Sequence, residues 1–217
     1  MRILPKVLLI LLYLFSQLAF AADYNNQLYN QAKKVLWYQV YRSGGETFYC
    51  DEAFKSSKRR GLNVEHVLPM SWVMNKFKCK DRSSCRRNHS RFRQIEADLH
   101  NLYPVRITIN QLRGSMPFGM VRGEPRHFGQ CDFEIDRSKR LVEPRPEVRG
   151  DIARTFAYMH ERYGIKIHHR QKRLMMEWNQ QDPPSVDEQQ RNNVIERLQG
   201  NRNSFIDKPE SVARLFR

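Results

Sequence analysis

The strongest constraint on this chain stands at its start. Residues 7–15, VLLILLYLF, form an unbroken apolar run behind Arg2 and Lys6, and Ala19-Phe20-Ala21 follows with small residues where a signal peptidase reads them. The run is too short to cross about 30 Å of hydrocarbon as a permanent helix. The pattern is that of a secretory signal cut after Ala21, so residues 1–21 are read as the signal and 22–217 as the part that folds, in the periplasm or outside the cell and without a membrane anchor. Disulfides persist there, and that decides how Cys50, Cys79, Cys85 and Cys131 are read. Four cysteines allow three pairings. Cys79 and Cys85 are close in sequence and are expected to close one loop. Cys50 would then join Cys131 and tie the first third of the chain to its middle. A zinc site at Cys79, Cys85 and His89 is the weaker alternative, because the spacing is poor and the compartment oxidising.

Elsewhere the chain has material for one core. With 40% apolar and 11% aromatic residues it is not disordered, and with no second long apolar run it is not a polytopic membrane protein. Leu28, Ala32, Leu36 and Val40 mark a helical face within residues 23–42, stopped by Ser43-Gly44-Gly45. Residues 46–63 are polar and loop-like, and 64–68 form a short β-like run ended by Pro69. Pro104 is placed to open a short helix as its first residue, although Val105, Ile107, Thr108 and Ile109 are poor helix formers. Residues 117–143 look like loops and short strands. After Pro146 three amphipathic helices are expected, at about 147–163, 169–180 and 185–199. Met175, Met176 and Trp178 read as core. No linker or repeat divides the chain, so the expected class is a single, mixed, mostly helical α+β domain.

The charge then narrows the partners. Lys plus Arg is 38 against 23 for Asp plus Glu, a formal net charge of +15, of which the signal carries only Arg2 and Lys6. An exported protein of this charge should meet something anionic: nucleic acid, glycan or a membrane surface. Residues 76–93 hold eight Lys or Arg against one Asp. Confined by a Cys79–Cys85 bridge they would form a rigid basic loop, with Arg86 and Arg87 facing phosphate, and the ordering cost already met. Such binding follows the nucleic-acid backbone, tolerates any sequence and weakens with salt.

One stretch points to chemistry. In Asn63-Val64-Glu65-His66-Val67-Leu68-Pro69 a carboxylate and an imidazole sit side by side within an apolar, β-like run, where polar groups need partners. A second polar island is Glu96-Ala97-Asp98-Leu99-His100-Asn101-Leu102, and its helix-like continuation carries Asn110 and Arg113. The Glu65 carboxylate and the Asn110 carbonyl suit a hard divalent cation that keeps most of its water, as Mg²⁺ does. His66 could take a proton from an attacking water, and an arginine of the basic stretch could hold the phosphate. Neighbours on a regular strand point to opposite faces, so Glu65 and His66 share a site only if the strand bends or ends there.

These motifs resemble the secreted and periplasmic bacterial endonuclease I family, which has a ββα-metal (His-Me finger) active site. The resemblance rests on the 63–69 and 96–102 stretches and on Asn110-Gln111-Leu112-Arg113-Gly114. It continues through Arg149-Gly150-Asp151-Ile152-Ala153-Arg154-Thr155, Trp178-Asn179 and Gly200-Asn201-Arg202-Asn203-Ser204-Phe205, and covers roughly residues 24–206. The chain departs from familiar members in Val64, in Ser204 and in having fewer cysteines. The resemblance implies His66 as general base, Glu65 and Asn110 as ligands of Mg²⁺ or another divalent ion, and Arg82 as a contact to the scissile phosphate. Arg86, Arg87 and Arg113 are taken as further nucleic-acid contacts, Arg113 equally as a cap of its helix. His100 and Asn101 are read as supporting groups. The implied activity is sequence-independent, Mg²⁺-dependent cleavage of DNA, often also RNA, to 5′-phosphate ends by a monomer with a mixed fold built on a β-hairpin and a crossing helix. The rival readings are a secreted DNA-binding or DNA-uptake protein without catalysis, in which Glu65 and His66 are structural, and a cationic protein of anionic surfaces.

Overall fold

A short antiparallel pair of strands organises the molecule. The computed structural model describes residues 27–56, 59–123 and 127–217, and the expected signal at 1–21 lies outside them. Strand β3 (Leu62–His66) pairs with β4 (Leu102–Arg106), Glu65 opposite Tyr103 and His66 opposite Leu102. Before it come helix α1, residues 27–40 with a π-helical last part at Leu36–Val40, and a small hairpin of β1 (Gly45–Glu46) and β2 (Ala53–Phe54). Gly44 makes the turn between them at φ 95°, where an added Cβ would stand 2.2 Å from the Phe54 carbonyl oxygen, so no larger residue fits.

Between β3 and β4 the chain folds into α2 (Met70–Phe77), α3 (Arg82–Asn88), α4 (Ser90–Glu96) and a 3₁₀ turn at Leu99–Asn101. From β4 it passes directly into α5 (Ile107–Arg113). A second hairpin, β5 (Phe133–Asp136) with β6 (Leu141–Pro144), precedes α6 (Arg149–Tyr163), α7 (His169–Gln181), α8 (Val186–Gln199), α9 (Ser204–Asp207) and α10 (Ser211–Phe216). The three long C-terminal helices lie where the periodicity puts them, and Met175 and Trp178 are fully buried. Among the described residues no helix is long and apolar enough to cross a membrane.

Two expectations are corrected. Pro104 does not open a helix: it pairs opposite Val64 within β4, and α5 starts three residues later. A two-stranded sheet has only edge strands, where a proline without an N–H is tolerated, and the branched residues beside it favour the strand. The basic stretch 76–93 is not a loop but the end of α2, all of α3 and much of α4. Asp81 starts α3 through a capping box: its carboxylate accepts the Ser84 N–H at 2.7 Å, and the Ser84 hydroxyl accepts the Asp81 N–H at 3.2 Å. The disulfide Cys79–Cys85 spans that start, and Cys50–Cys131 joins the β1–β2 region to the residues before β5.

Buried polar networks account for the other motifs. The Arg154 guanidinium, fully buried, donates to Glu188 at 2.6 and 2.8 Å, to Asp151 at 3.0 Å and to the Asp182 carbonyl at 2.8 Å. Asp98 accepts from the hydroxyls of Tyr158, at 2.6 Å, and Tyr163, and from Gln199 at 2.8 Å. Asn203 donates to the Arg154 carbonyl and caps α9. A buried polar group costs stability unless it is satisfied, so these contacts fix the register of the helical half against the 96–102 segment.

Candidate active site

The site lies where β3 ends. Glu65, His66, Arg82, Asn110 and Arg113, from β3, α3 and α5, all line one cleft of about 520 Å³, with Tyr29 and Lys33 of α1 forming its opposite wall. Glu65 and His66 do point to different partners, as strand alternation requires. Because β3 stops at His66 and Pro69 sends the chain into α2, both still border the same space.

The His66 ring is almost wholly buried, 5.1 Å from the Tyr29 ring. Its Nε2 lies 2.8 Å from the Glu96 carbonyl oxygen. A carbonyl can only accept, so Nε2 carries the proton and Nδ1 keeps its lone pair. Burial, and then the positive charge of Arg82, push the imidazole down to about 3, so it is neutral at any ordinary pH. The backbone after it is held by Asn101, whose side chain accepts the Leu68 N–H at 2.7 Å and donates to the Leu68 carbonyl at 3.0 Å. His100 is buried on the far side of this segment against Tyr158, with Nε2 3.1 Å from the Asn201 carbonyl. Both fit the supporting parts expected of them.

Glu65 is buried, and burial pushes its carboxyl above the usual range against the pull of Arg113 and Tyr49. Tyr49 donates its hydroxyl to Oε1 at 3.0 Å, and Arg113 stands 3.2 Å from the same oxygen. Asn110 donates its amide N–H groups to Asn63 Oδ1 at 2.9 Å and to the Val64 carbonyl at 3.3 Å. Its own carbonyl oxygen is thereby left to accept elsewhere. Among the described residues there is no cluster of three His, Cys, Asp or Glu able to hold a metal. One carboxylate and one amide carbonyl on a shared cleft remain, a donor set that fits a hard cation completing its shell with water. A divalent ion would also favour the ionised Glu65 that burial disfavours.

The arginines separate into different roles. Arg82 and Arg86 both donate to the buried Glu96 carboxylate, Arg86 at 2.7 to 3.0 Å, and their guanidinium groups lie 5.1 and 5.9 Å from the Tyr29 ring. Arg82 Nη2 is buried without a hydrogen-bond partner, a donor with unused capacity beside the cleft. Arg87 is exposed on α3. Arg113 is 1% exposed and donates to the His66 carbonyl at 3.3 Å, the Val67 carbonyl at 2.7 Å and the Gly114 carbonyl at the end of its own helix at 3.3 Å, the capping contact of the alternative reading. It pins the end of β3 to α5 from within the cleft lining.

Sequence reasoning missed Glu96, whose carbonyl orients His66 while its carboxylate gathers Arg82 and Arg86. It also missed Tyr29 and Tyr49. Glu96 opened a motif stretch that drew attention, but nothing local tells which of its two oxygen-bearing groups faces His66. The tyrosines reach the site from segments that read as ordinary helix and loop.

Known proteins resemble this chain over most of its length. The chain is 32% identical over 208 residues to an extracellular deoxyribonuclease of Aeromonas hydrophila, covering 85% of this chain and 90% of that protein. It is 31% identical over 194 residues to a periplasmic deoxyribonuclease of the same organism, covering 78% and 81%. An extracellular ribonuclease of Bacillus subtilis (strain 168) is 34% identical over 131 residues, covering 52% and 44%. The model of the family described as Endonuclease I matches residues 16–210, nearly the whole length, and the chain belongs to the endonuclease I family.

Proposed function

We propose that this nuclease is a Mg²⁺-dependent, sequence-nonspecific endonuclease that hydrolyses phosphodiester bonds of DNA, and of RNA, to 5′-phosphate ends, acting in the periplasm or outside the cell. The observation that carries the reading is the meeting of Glu65, His66, Arg82 and Asn110 on one cleft, from three separate elements. The order β3, β4, α5 around them fits a ββα-metal (His-Me finger) core. The names of the relatives, extracellular and periplasmic deoxyribonuclease and extracellular ribonuclease, support both the substrates and the location, as does the net charge of +15.

The chain's own groups divide the work. His66, fixed by the Glu96 carbonyl with Nδ1 unprotonated, takes a proton from the attacking water. Arg82, held in place by Glu96, offers its remaining donor to a non-bridging phosphate oxygen and neutralises charge there. Arg113 and Asn101 fix the backbone from His66 to Leu68, so the imidazole does not have to be ordered during reaction. Glu65 and Asn110 would hold the divalent ion, which supplies Lewis-acid stabilisation of the charge on the phosphate and the leaving oxygen. Arg87 and the exposed cations of residues 76–93 meet the nucleic-acid backbone outside the cleft.

Plasmid nicking with and without EDTA tests the reading. Loss of supercoiled DNA that requires Mg²⁺, and products that accept a labelled phosphate from a 5′-kinase only after phosphatase treatment, are expected. Salt-sensitive retardation without any cutting would replace the enzyme with the non-catalytic DNA-binding protein.

A further inference from the structure

The wall of the cleft formed by α1 has no part in the chemistry above, yet its composition is unusual. Between Asp23 and Glu46 the chain has no acidic residue, while Lys33, Lys34 and Arg42 are all cationic. Tyr29 and Lys33 line the cleft, with the Lys33 ammonium 4.9 Å from the Tyr29 ring centre. Trp37 follows four residues after Lys33, on the same side of the helix. There the helix is π-wound, a form frequent at functional sites. Arg59 leaves the loop before β3 and lies against both aromatic residues of this turn, 5.4 Å from the Trp37 ring and 4.4 Å from that of Tyr38. Tyr38 is 60% exposed, far more than packing requires of so large a ring. Cations and π-faces therefore alternate from the cleft outward over about 12 Å of helix.

We propose that α1 and Arg59 form a docking track for unpaired nucleotides of the strand that leaves the scissile phosphate. Lys33 and Arg59 meet the backbone, and Trp37 and Tyr38 stack on bases. The inference rests on the nuclease reading for its ligand but names a surface and a strand state which that reading leaves open. Stacking on a π-face is indifferent to base identity and to the sugar, so such a track serves DNA and RNA alike.

The test uses fluorescence anisotropy with the full exported chain carrying His66→Ala, which binds without cutting, in Mg²⁺. The probes are a labelled single-stranded thymidine 20-mer and a labelled 20-base-pair duplex. Adding Tyr38→Ala should weaken binding of the single strand roughly tenfold, as expected for loss of one base stack, and binding of the duplex less than twofold. Tyr38→Phe should restore the single-strand affinity. Arg59→Gln should weaken both and lower the salt slope for the single strand by about one phosphate contact. Equal losses on both probes, or less than twofold on the single strand with Tyr38→Ala, would overturn the track. Plasmid cutting by the unaltered protein is scored separately: its absence would refute the nuclease reading, whereas cutting with an indifferent Tyr38 would refute only the track.

Discussion

Glu65→Ala is the most informative single change, because the carboxylate pairs with a buried arginine and is also the proposed ligand of the divalent ion. In the absence of metal it is the counter-charge of Arg113, and the two side chains are 4% and 1% exposed at 3.2 Å. Removing one member of a buried ion pair leaves the other charge uncompensated, at a cost of about 3–5 kcal/mol. The Tyr49 hydroxyl loses its acceptor as well, and Arg113 keeps its three carbonyl acceptors, which offset part of the loss. A net destabilisation of about 4 kcal/mol is expected, a large share of the roughly 5–15 kcal/mol of a typical domain, and on the order of 10 °C in Tm for a chain of this size. Urea unfolding in EDTA, followed by near-UV circular dichroism, reads this directly. Combining Glu65→Ala with Arg113→Met removes the stranded charge and should recover part of the stability. Cleavage should stay abolished in both variants, since neither restores the oxygen donor. A urea midpoint unmoved by Glu65→Ala would show that Arg113 does not depend on this carboxylate, and the account of the buried pair would be wrong.

Three further outcomes follow from the geometry. His66→Ala should lower kcat by about 10²–10⁴-fold, the usual worth of a general base, with DNA affinity nearly unchanged; near-normal cutting by that variant would remove His66 from its role. Replacing Cys50 and Cys131 by Ala opens a link across 81 residues, and the chain-entropy relation puts the loss at about 4.5 kcal/mol; a change in urea midpoint equivalent to less than about 1 kcal/mol would contradict it. Burial pushes His100 down from 6.5 to about 4, so the unfolded chain takes up a proton near pH 6.5 that the folded chain refuses until pH 4. The stability tied to neutral His100 is therefore complete above pH 6.5 and is lost as pH falls toward 4, by up to about 1.4 kcal/mol per pH unit. His100→Gln should flatten that acid limb, and an unaltered slope of stability against pH would show that His100 is not the group responsible.

Some elements announce themselves locally and others do not. The helices α6, α7 and α8 are legible because Ile152, Phe156, Met159 and Tyr163, and their counterparts later, repeat at the helical period between clear stop signals. The strand at 64–68 is legible only in part: Val64–His66 belong to β3, but the strand begins at Leu62, in the stretch read as loop, and Val67 and Leu68 lie beyond its end. Pro104 misleads because a proline is equally at home at a helix start and in an edge strand, and only the pairing with Val64 distinguishes them. The basic stretch misleads for another reason. Its charge suggests a solvated loop, whereas the Asp81–Ser84 capping box and the burial of Cys85 and Phe92 make it helical.

The amino-acid sequence by itself determined the chemical inventory: an apolar run behind two cations at the start, four cysteines, a large positive charge, and Glu65, His66 and Asn110 as groups of the types suited to a cation and a proton. These are properties of residue types and short-range order. Only the tertiary structure decided how the inventory is used. It turned Arg113 inward as the partner of Glu65, made the Glu96 carbonyl the anchor of His66, and set Tyr29 of α1 across the cleft. The physical reason is that a buried charge or hydrogen-bonding group must be satisfied, and its partner is chosen by packing between segments tens of residues apart, which no local pattern encodes.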